Sequence, residues 1–251
     1  MKTEKRIKKI TKWIGDYAKN NDIQALIVGV SGGIDSAVVS TLSARTGLPT
    51  YAVSMPIKQN PELHSRSQSH CHWLAQNFPN VTEVTMDLTP VFAAFQKVSK
   101  GYDSPLGYAN TRARIRMSAL YQIAQSVNGI VVGTGNKVED FGVGFFTKYG
   151  DGGVDISPIA DCMKTEVWDM GIELGVSMEI VDAAPTDGLW EDGRTDEDQL
   201  GMSYKRLERA MSLDESGKKP KTAQEKEDLG EYRAIRARNL HKMLPIPVCK
   251  F

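Results

Sequence analysis

Ala25-Leu26-Ile27-Val28-Gly29-Val30-Ser31-Gly32-Gly33-Ile34-Asp35-Ser36 reads as a strand, a glycine-rich turn and a helix that begins near Asp35. Such a turn aims backbone N–H groups at one spot, and the helix N-terminus adds partial positive charge there. Gly32 and Gly33 let the chain bend tightly and approach a ligand closely. Ser31 and Ser36 add hydroxyl donors. The guest these residues suit is a phosphate or pyrophosphate. Asp35 would be repelled by that guest unless a cation lay between them, which points to magnesium. No lysine follows the last glycine, so the loop is not a Walker A turn. The plain alternative is a Gly-Ser turn ahead of a helix, since such turns are common in α/β folds.

Outward from this stretch, strands and helices alternate. Strand one runs over 25–30 and a helix over about 36–45, stopped by Gly47 and Pro49. Residues 50–55 form the next strand, 61–77 a helix and 81–86 a third strand. A long helix over about 108–127 leads to a short buried strand at 129–132, which ends in Gly133-Thr134-Gly135-Asn136. The pattern predicts an α/β fold, a Rossmann-like parallel sheet with helices on both faces. Ligands of such sheets bind beyond the carboxyl ends of the strands, where both glycine turns lie. Ahead of strand one, Ile7, Ile10, Trp13, Ile14 and Tyr17 recur at helical spacing, for packing on the sheet or on a partner. After Lys148 the pattern degrades. A helix fits 163–174, and 232–243 suits a closing helix. The acidic stretch 185–198 reads as a solvated linker or as a lid over substrate, and the charged stretch 212–228 as exposed.

Composition narrows the classes. The chain has 251 residues and 41% hydrophobic content, enough for one α/β domain with a real core. Lys+Arg and Asp+Glu both number 31, so no net field favours nucleic acid or a membrane surface. No apolar run approaches a membrane span, and the basic N-terminus is followed by no signal core. Cys71, Cys162 and Cys249 are scattered, which indicates neither a zinc site nor a disulfide framework, and suits a reducing cytoplasm.

Two further runs carry chemistry. In Gly133-Thr134-Gly135-Asn136-Lys137-Val138-Glu139, Glu139 falls on the first turn of a helix at the ligand face. Alone it would be a partner for the helix dipole. Paired with the loop at Asp35 it becomes a second oxygen ligand for magnesium. The run Phe145-Phe146-Thr147-Lys148-Tyr149-Gly150-Asp151-Gly152-Gly153-Val154-Asp155 makes little sense as core and suits a polar pocket around Lys148 and Asp155. Lys164, then Pro185-Thr186, offer a cation and a hydroxyl to a leaving pyrophosphate. His241-Lys242 adds a basic pair, which by itself would read as a helix C-terminal charge cluster.

S-G-G-x-D-S resembles the pyrophosphate loop of the ATP pyrophosphatases. The whole ordered set resembles one of their families, the ammonia-dependent NAD synthetases: that loop, R-x-R-M, G-T-x-x-x-x-E, G-F-F-T-K-Y-G-D-G-G-x-D, a following Lys, P-T and H-K. The likeness runs from about Ile7 to Lys242. It implies a carbon–nitrogen ligase that turns deamido-NAD, ATP and ammonia into NAD, AMP and pyrophosphate through an adenylated carboxylate, the last step of NAD biosynthesis. It also implies a cytoplasmic homodimer. The matching positions would be Gly29, Val30, Ser31, Gly32, Gly33, Ile34, Asp35 and Ser36 for the ATP loop, with Thr134, Lys164 and Thr186 as further ATP contacts. Asp35 and Glu139 match the magnesium ligands. Arg114, Lys148, Asp155, His241 and Lys242 match contacts to deamido-NAD, and Asp35, Lys164 and Thr186 would carry catalysis. Two departures stand out: Ile34 where the family often has Gln, and Gly135-Asn136 where it often has Asp-His. One extra residue also separates Glu139 from Lys148 relative to some members.

The implied chemistry is mostly positioning and charge neutralisation. No general base for ammonium is evident beyond Asp151 or Asp155. About 25 residues precede strand one, against the ~100 or more of another domain. The expectation is one domain over 1–251, without an N-terminal glutaminase or amidase domain. Rival readings are a tRNA thiolase, a lysidine-type ligase, a GMP synthetase-like enzyme, or a nucleotide sensor that lacks turnover. Thiolases want neighbouring cysteines and a basic RNA face, which this chain lacks.

Overall fold

The computed structural model describes residues 1–58, 61–186, 188 and 194–251. In chain order the elements are α1 (Thr3–Asn20), β1 (Ala25–Gly29), α2 (Ile34–Ala44), β2 (Thr50–Ser54), α3 (Pro61–Asn77), β3 (Val81–Thr85), α4 (Thr89–Val98), α5 (Pro105–Ser126) and β4 (Gly129–Val131). A wide π-helical turn over Lys137–Val143 follows. Then come α6 (Lys164–Glu173), α7 (Met178–Val181), α8 (Asp196–Leu200), α9 (Tyr204–Ser216) and α10 (Ala223–Met243).

The described strands form one parallel sheet in the order β3-β2-β1-β4. Because β1 is buried along its apolar length, both its faces need cover. Leu26 and Val28 pack with Ile7, Ile14, Val38 and Val167 from α1, α2 and α6. Ala25 and Ile27 point the other way, into a cluster with Phe92 of α4 and Ala124 of α5. This alternation along one strand gives the α/β sandwich, with helices on both faces as the sequence predicts. Ile7, Ile10 and Ile14 are spent inside this core with Tyr17 packed against it, while Trp13 of the same stripe stays exposed.

From β1 the chain moves outward through β2 to β3, then crosses back to place β4 on the other side of β1. The switch in direction opens a crevice between the ends of β1 and β4, and the two glycine turns flank it. Val132 extends this edge by a parallel bridge to Ile156.

Beyond the sheet, residues from 137 onward build a second apolar cluster. Val138 and Val143 of the π turn pack with Leu200, Tyr204, Leu207 and Met211 of α8 and α9 and with Tyr232 of α10. The stretch 212–228, read from sequence as exposed charge, divides between the end of α9 and the start of α10. Glu225 and Asp228 are buried there, paired with Arg209 and Arg206. Of the segment 185–198, residues 187 and 189–193 lie outside the described residues. Its two ends are laced together, Asp196 N donating to Pro185 O (2.9 Å) and Thr186 Oγ1 to Arg194 O (3.1 Å).

Candidate active site

The turn after β1 is held open by its own hydroxyls. Ser31 N donates to Ser36 Oγ (3.1 Å), Gly33 N to Ser31 Oγ (3.2 Å), and Ser36 Oγ to Gly33 O (2.9 Å). Gly32 has φ +92°, and a Cβ there would stand 2.5 Å from Leu63 O of α3. Glycine is therefore required at Gly32 both by conformation and by space. The loop ends in α2, whose first turn carries Asp35.

The turn after β4 is organised by Asn136, which is fully buried. Its Oδ1 accepts from Val138 N (3.0 Å) and Glu139 N (3.1 Å), capping the π turn. Its Nδ2 donates to Asp35 Oδ1 (3.1 Å). One side chain thus orients both acidic residues. The departure from Asp-His at this point of the sequence carries a structural task.

Asp35 and Glu139 converge on Lys164, the first residue of α6. Lys164 Nζ lies 2.5 Å from Asp35 Oδ2 and 2.9 Å from Glu139 Oε1, and its side chain is 2% exposed. Tyr204 Oη donates to the same Glu139 oxygen, lies 3.3 Å from Asp196 Oδ2, and its ring sits beneath the ammonium at 5.0 Å. Burial by itself would lower the Lys164 pKa, but the two carboxylates outweigh it and hold the ammonium protonated. Asp35 is pushed up, first by burial and then by the Glu139 carboxylate, which together outweigh the lowering pull of Lys164. Burial and the neighbouring carboxylates also push the Tyr204 hydroxyl up, so it acts as a donor.

A cavity of about 370 Å³ runs along the crevice. The 29–36 loop, Thr134, Glu139, Lys164, Thr186 and Lys242 all reach it. A second cavity of about 380 Å³ adjoins it and takes in Lys148, Tyr149 and Leu244. Asp140, Asp151, Gly135 and Lys242 line both.

Three other residues singled out from sequence line neither cavity. Arg114 Nε donates to Lys148 O (3.3 Å). His241 Nδ1 sits 3.2 Å from Arg238 O. Asp155 is engaged at both oxygens, Oδ2 accepting from Val131 N (2.8 Å) and Oδ1 from Tyr121 Oη (3.0 Å). Asp155 therefore braces the end of β4. Asp151 Oδ1 accepts from Thr147 N (3.0 Å), and burial pushes its carboxyl up.

Sequence reasoning missed Arg66, Tyr204 and Asp140, and within R-x-R-M it singled out Arg114 where Arg116 is the arginine that reaches the cavity. Arg66 and Arg116 enter the main cavity from α3 and α5. Arg66 Nε is buried with no partner among the described residues. Arg116 Nε donates to Met55 O (3.0 Å), and burial with Arg112 nearby lowers its pKa to about 10, so it stays charged at neutral pH. Tyr204, Leu207 and Met211 stand at helical spacing, a signal that would have placed Tyr204 on a buried face. Asp140 leans over Gly135, where a Cβ would come within 2.0 Å of its Oδ2. No sequence pattern announces that contact.

The arrangement can bind an anion at the loop, hold a hard cation on paired carboxylates, and present further cations to a second ligand. Among the described residues no group of three or more His, Cys, Asp or Glu side chains gathers to hold a metal. A metal here would take two protein carboxylates and complete its shell from ligand and water. That donor set fits magnesium, which keeps waters and shares itself with phosphates.

Residues 6–244 match the NAD synthase family. An NH(3)-dependent NAD(+) synthetase of Carboxydothermus hydrogenoformans is 36% identical over 211 residues, 82% of this chain and 84% of that protein. The solved structure of an NMN synthetase from Francisella tularensis superposes with a TM-score of 0.88 at 32% identity and covers 100% of both chains. That of an NH3-dependent NAD synthetase from Campylobacter jejuni gives 0.80 at 24% identity, again over 100% of both, a likeness of fold.

Proposed function

The chain belongs to the NAD synthase family, and from that membership we infer an ATP-consuming ligase that makes NAD from deamido-NAD and ammonia, releasing AMP and pyrophosphate. The observation that carries the reading is the meeting of the 29–36 loop with Asp35, Glu139 and Lys164 at the switch point of the sheet. The backbone N–H groups of the loop would hold the ATP phosphates, with Thr134 and Thr186 at the rim. Asp35 and Glu139 would hold Mg2+, which when bound neutralises triphosphate charge. Lys164 would steady the departing pyrophosphate. Lys148 and Lys242 would meet the phosphates of the acid, with Arg114, Asp155 and His241 as supports around them.

In this reading the nicotinate carboxylate attacks the α-phosphorus of ATP. A P–O bond forms to the acid and the bond to pyrophosphate breaks. The ammonia lone pair then forms the C–N bond, AMP leaves with the C–O electrons, and a proton is released to water or a carboxylate. The protein's contribution is alignment and shielding of the adenylate from water. The unit is one catalytic domain in a cytoplasmic homodimer. Three observations support that setting. Cys71 and Cys162 are free and buried, no described helix is long and apolar enough to cross a membrane, and most of α5 is left only partly covered.

The deciding assay supplies ATP, ammonia and deamido-NAD and follows NAD and AMP together. Formation of ADP in place of AMP would overturn the mechanism.

A second reading has one observation in its favour: the likeness to the Francisella NMN synthetase along the whole length. In it the acid is a mononucleotide, and one nucleotide unit fewer enters the site. Comparing kcat/KM on the mononucleotide and dinucleotide acids decides between them.

A further inference from the structure

We propose that Lys164 is a tethered stand-in for the divalent cation. Its ammonium and the metal are alternative partners of one carboxylate pair, so metal entry hands Lys164 over to the triphosphate. The inference rests on the reading of Asp35 and Glu139 as metal ligands.

Three observations carry it. The ammonium contacts both carboxylates, at 2.5 and 2.9 Å, and so lies where a shared cation would lie. Two carboxylates face one ammonium, which leaves an uncompensated negative charge in a nearly closed place, next to Asp140 and Asp196. A divalent ion would cancel what a lysine only halves. The third is the position of Lys164 at the N-terminus of α6, where the helix dipole disfavours a cation. The two carboxylates, with the Tyr204 ring beneath, therefore keep it there against the dipole.

A metal ion and an ammonium on the same oxygens repel strongly in this poorly screened setting. Once the metal takes Asp35 and Glu139, the four-carbon stem can swing Nζ into the cavity it already lines, beside Gly33 and Ser36 of the loop. Tyr204, 1% exposed, keeps its bond to Glu139 through the exchange and holds that ligand in place. Metal and triphosphate binding become coupled through one side chain, each favouring the other.

The test uses Mn2+ as the metal, counted by its free-ion electron paramagnetic resonance signal, on the wild-type chain and Lys164→Met. It is run with and without a non-hydrolysable ATP analogue, with Asp35→Ala as background. Without nucleotide, Lys164→Met should bind Mn2+ at least about tenfold more tightly, because no ammonium has to be displaced. The analogue should then raise the Mn2+ affinity of the wild type by a factor at least about tenfold greater than that of the variant. Equal or weaker Mn2+ binding by a folded Lys164→Met overturns the proposal. Wild-type protein that holds no more Mn2+ than Asp35→Ala, even with the analogue, overturns the metal site itself. Should Lys164→Met fail to fold, the wild type labelled with 15N-lysine carries the test. Mg2+ should move the slowly exchanging Lys164 ammonium signal. A signal unmoved at Mg2+ concentrations that displace bound Mn2+ overturns the exchange.

Discussion

Where β1 and β4 end, polar side chains satisfy one another: Lys164 with Asp35 and Glu139, and the neutral Tyr204 hydroxyl with Glu139. On the other side of the cavity the cations rest on backbone carbonyls. Lys148 Nζ donates to His241 O (3.0 Å), Lys242 Nζ to Phe146 O (2.8 Å) and Arg116 Nε to Met55 O (3.0 Å). The first corner is internally paired, with one carboxylate charge in excess, and opening it means separating buried charges. The cations of the second form no ion pair among the described residues, and a ligand anion can replace a carbonyl at little cost, since a neutral acceptor gives way to a charged one. The acidic corner is therefore built to be assembled, and the basic corner to receive.

The sharpest way to break this contrast is Asp35→Ala. It removes one of the carboxylates that share Lys164, and the charge stabilisation expected during adenylation goes with it. AMP formation should fall by about 10³-fold or more, in line with the loss of a preorganised electrostatic contact. Glu139 stays paired with Lys164, so the fold should persist. Pyrophosphate release measures the first and near-ultraviolet circular dichroism the second. Substantial turnover in the folded variant would remove Asp35 from the chemistry and leave the two corners alike.

The same contrast explains what the sequence could disclose. Strand–turn–helix units advertise themselves by apolar runs and glycine, and β1, β2, β3 and β4 stand within about a residue of their expected places. Helix α3 spans 61–77 as read. The acidic corner was legible because its members sit at strand ends in ordered motifs. What a linear pattern does not carry is which partner each charge finds. Lys164, expected on phosphate, lies between the carboxylates, and Asp155, expected on ligand, ties β4 to Tyr121. Residues 204–216 escaped because the charges of α9 outweigh its apolar stripe by eye, although Tyr204, Leu207 and Met211 are buried. The helix α4 went unread because its apolar residues are largely exposed, with only Phe92 buried.

Acid should strike the two corners unequally, through His70. This histidine lies on α3, 3.1 Å from Ser40 Oγ on α2, the helix that carries Asp35. Burial lowers its pKa to about 4, against 6.5 for a free ring. The unfolded chain thus takes up a proton first. The stability that depends on the neutral ring is complete above pH ~6.5, declines as pH falls, and is lost below about 4. The full loss is about 3 kcal/mol at 1.36 kcal/mol per unit. Urea unfolding of the wild type and His70→Gln at pH 7 and pH 4.5 checks it. The wild type should lose about 2 to 3 kcal/mol more than the variant over that interval. Equal losses would place the acid sensitivity elsewhere, and α2 would then be no weaker in acid than α5 and α10.

The smallest effect belongs to the basic corner and tests it most directly. Lys148→Ala removes an ammonium whose only hydrogen-bond partner among the described residues is the His241 carbonyl. No buried charge is stranded, so the variant should fold with nearly unchanged stability. The lost contact is one cation facing the phosphates of the acid, and a charge-assisted hydrogen bond of about 1.5 to 3 kcal/mol corresponds to about a 10- to 100-fold rise in KM for that substrate. The KM for ATP should stay within about twofold, because the triphosphate is assigned to the opposite corner, around the 29–36 loop. Initial rates with each substrate varied in turn separate the two. A matched rise in both would mean that Lys148 serves the whole cavity, and the division between an assembled corner and a receiving one would not hold at the level of substrates. A rise confined to the acid, repeated in Lys242→Ala, would place both parked lysines on one ligand. Its dependence on acid length would then show whether that ligand carries one nucleotide unit or two.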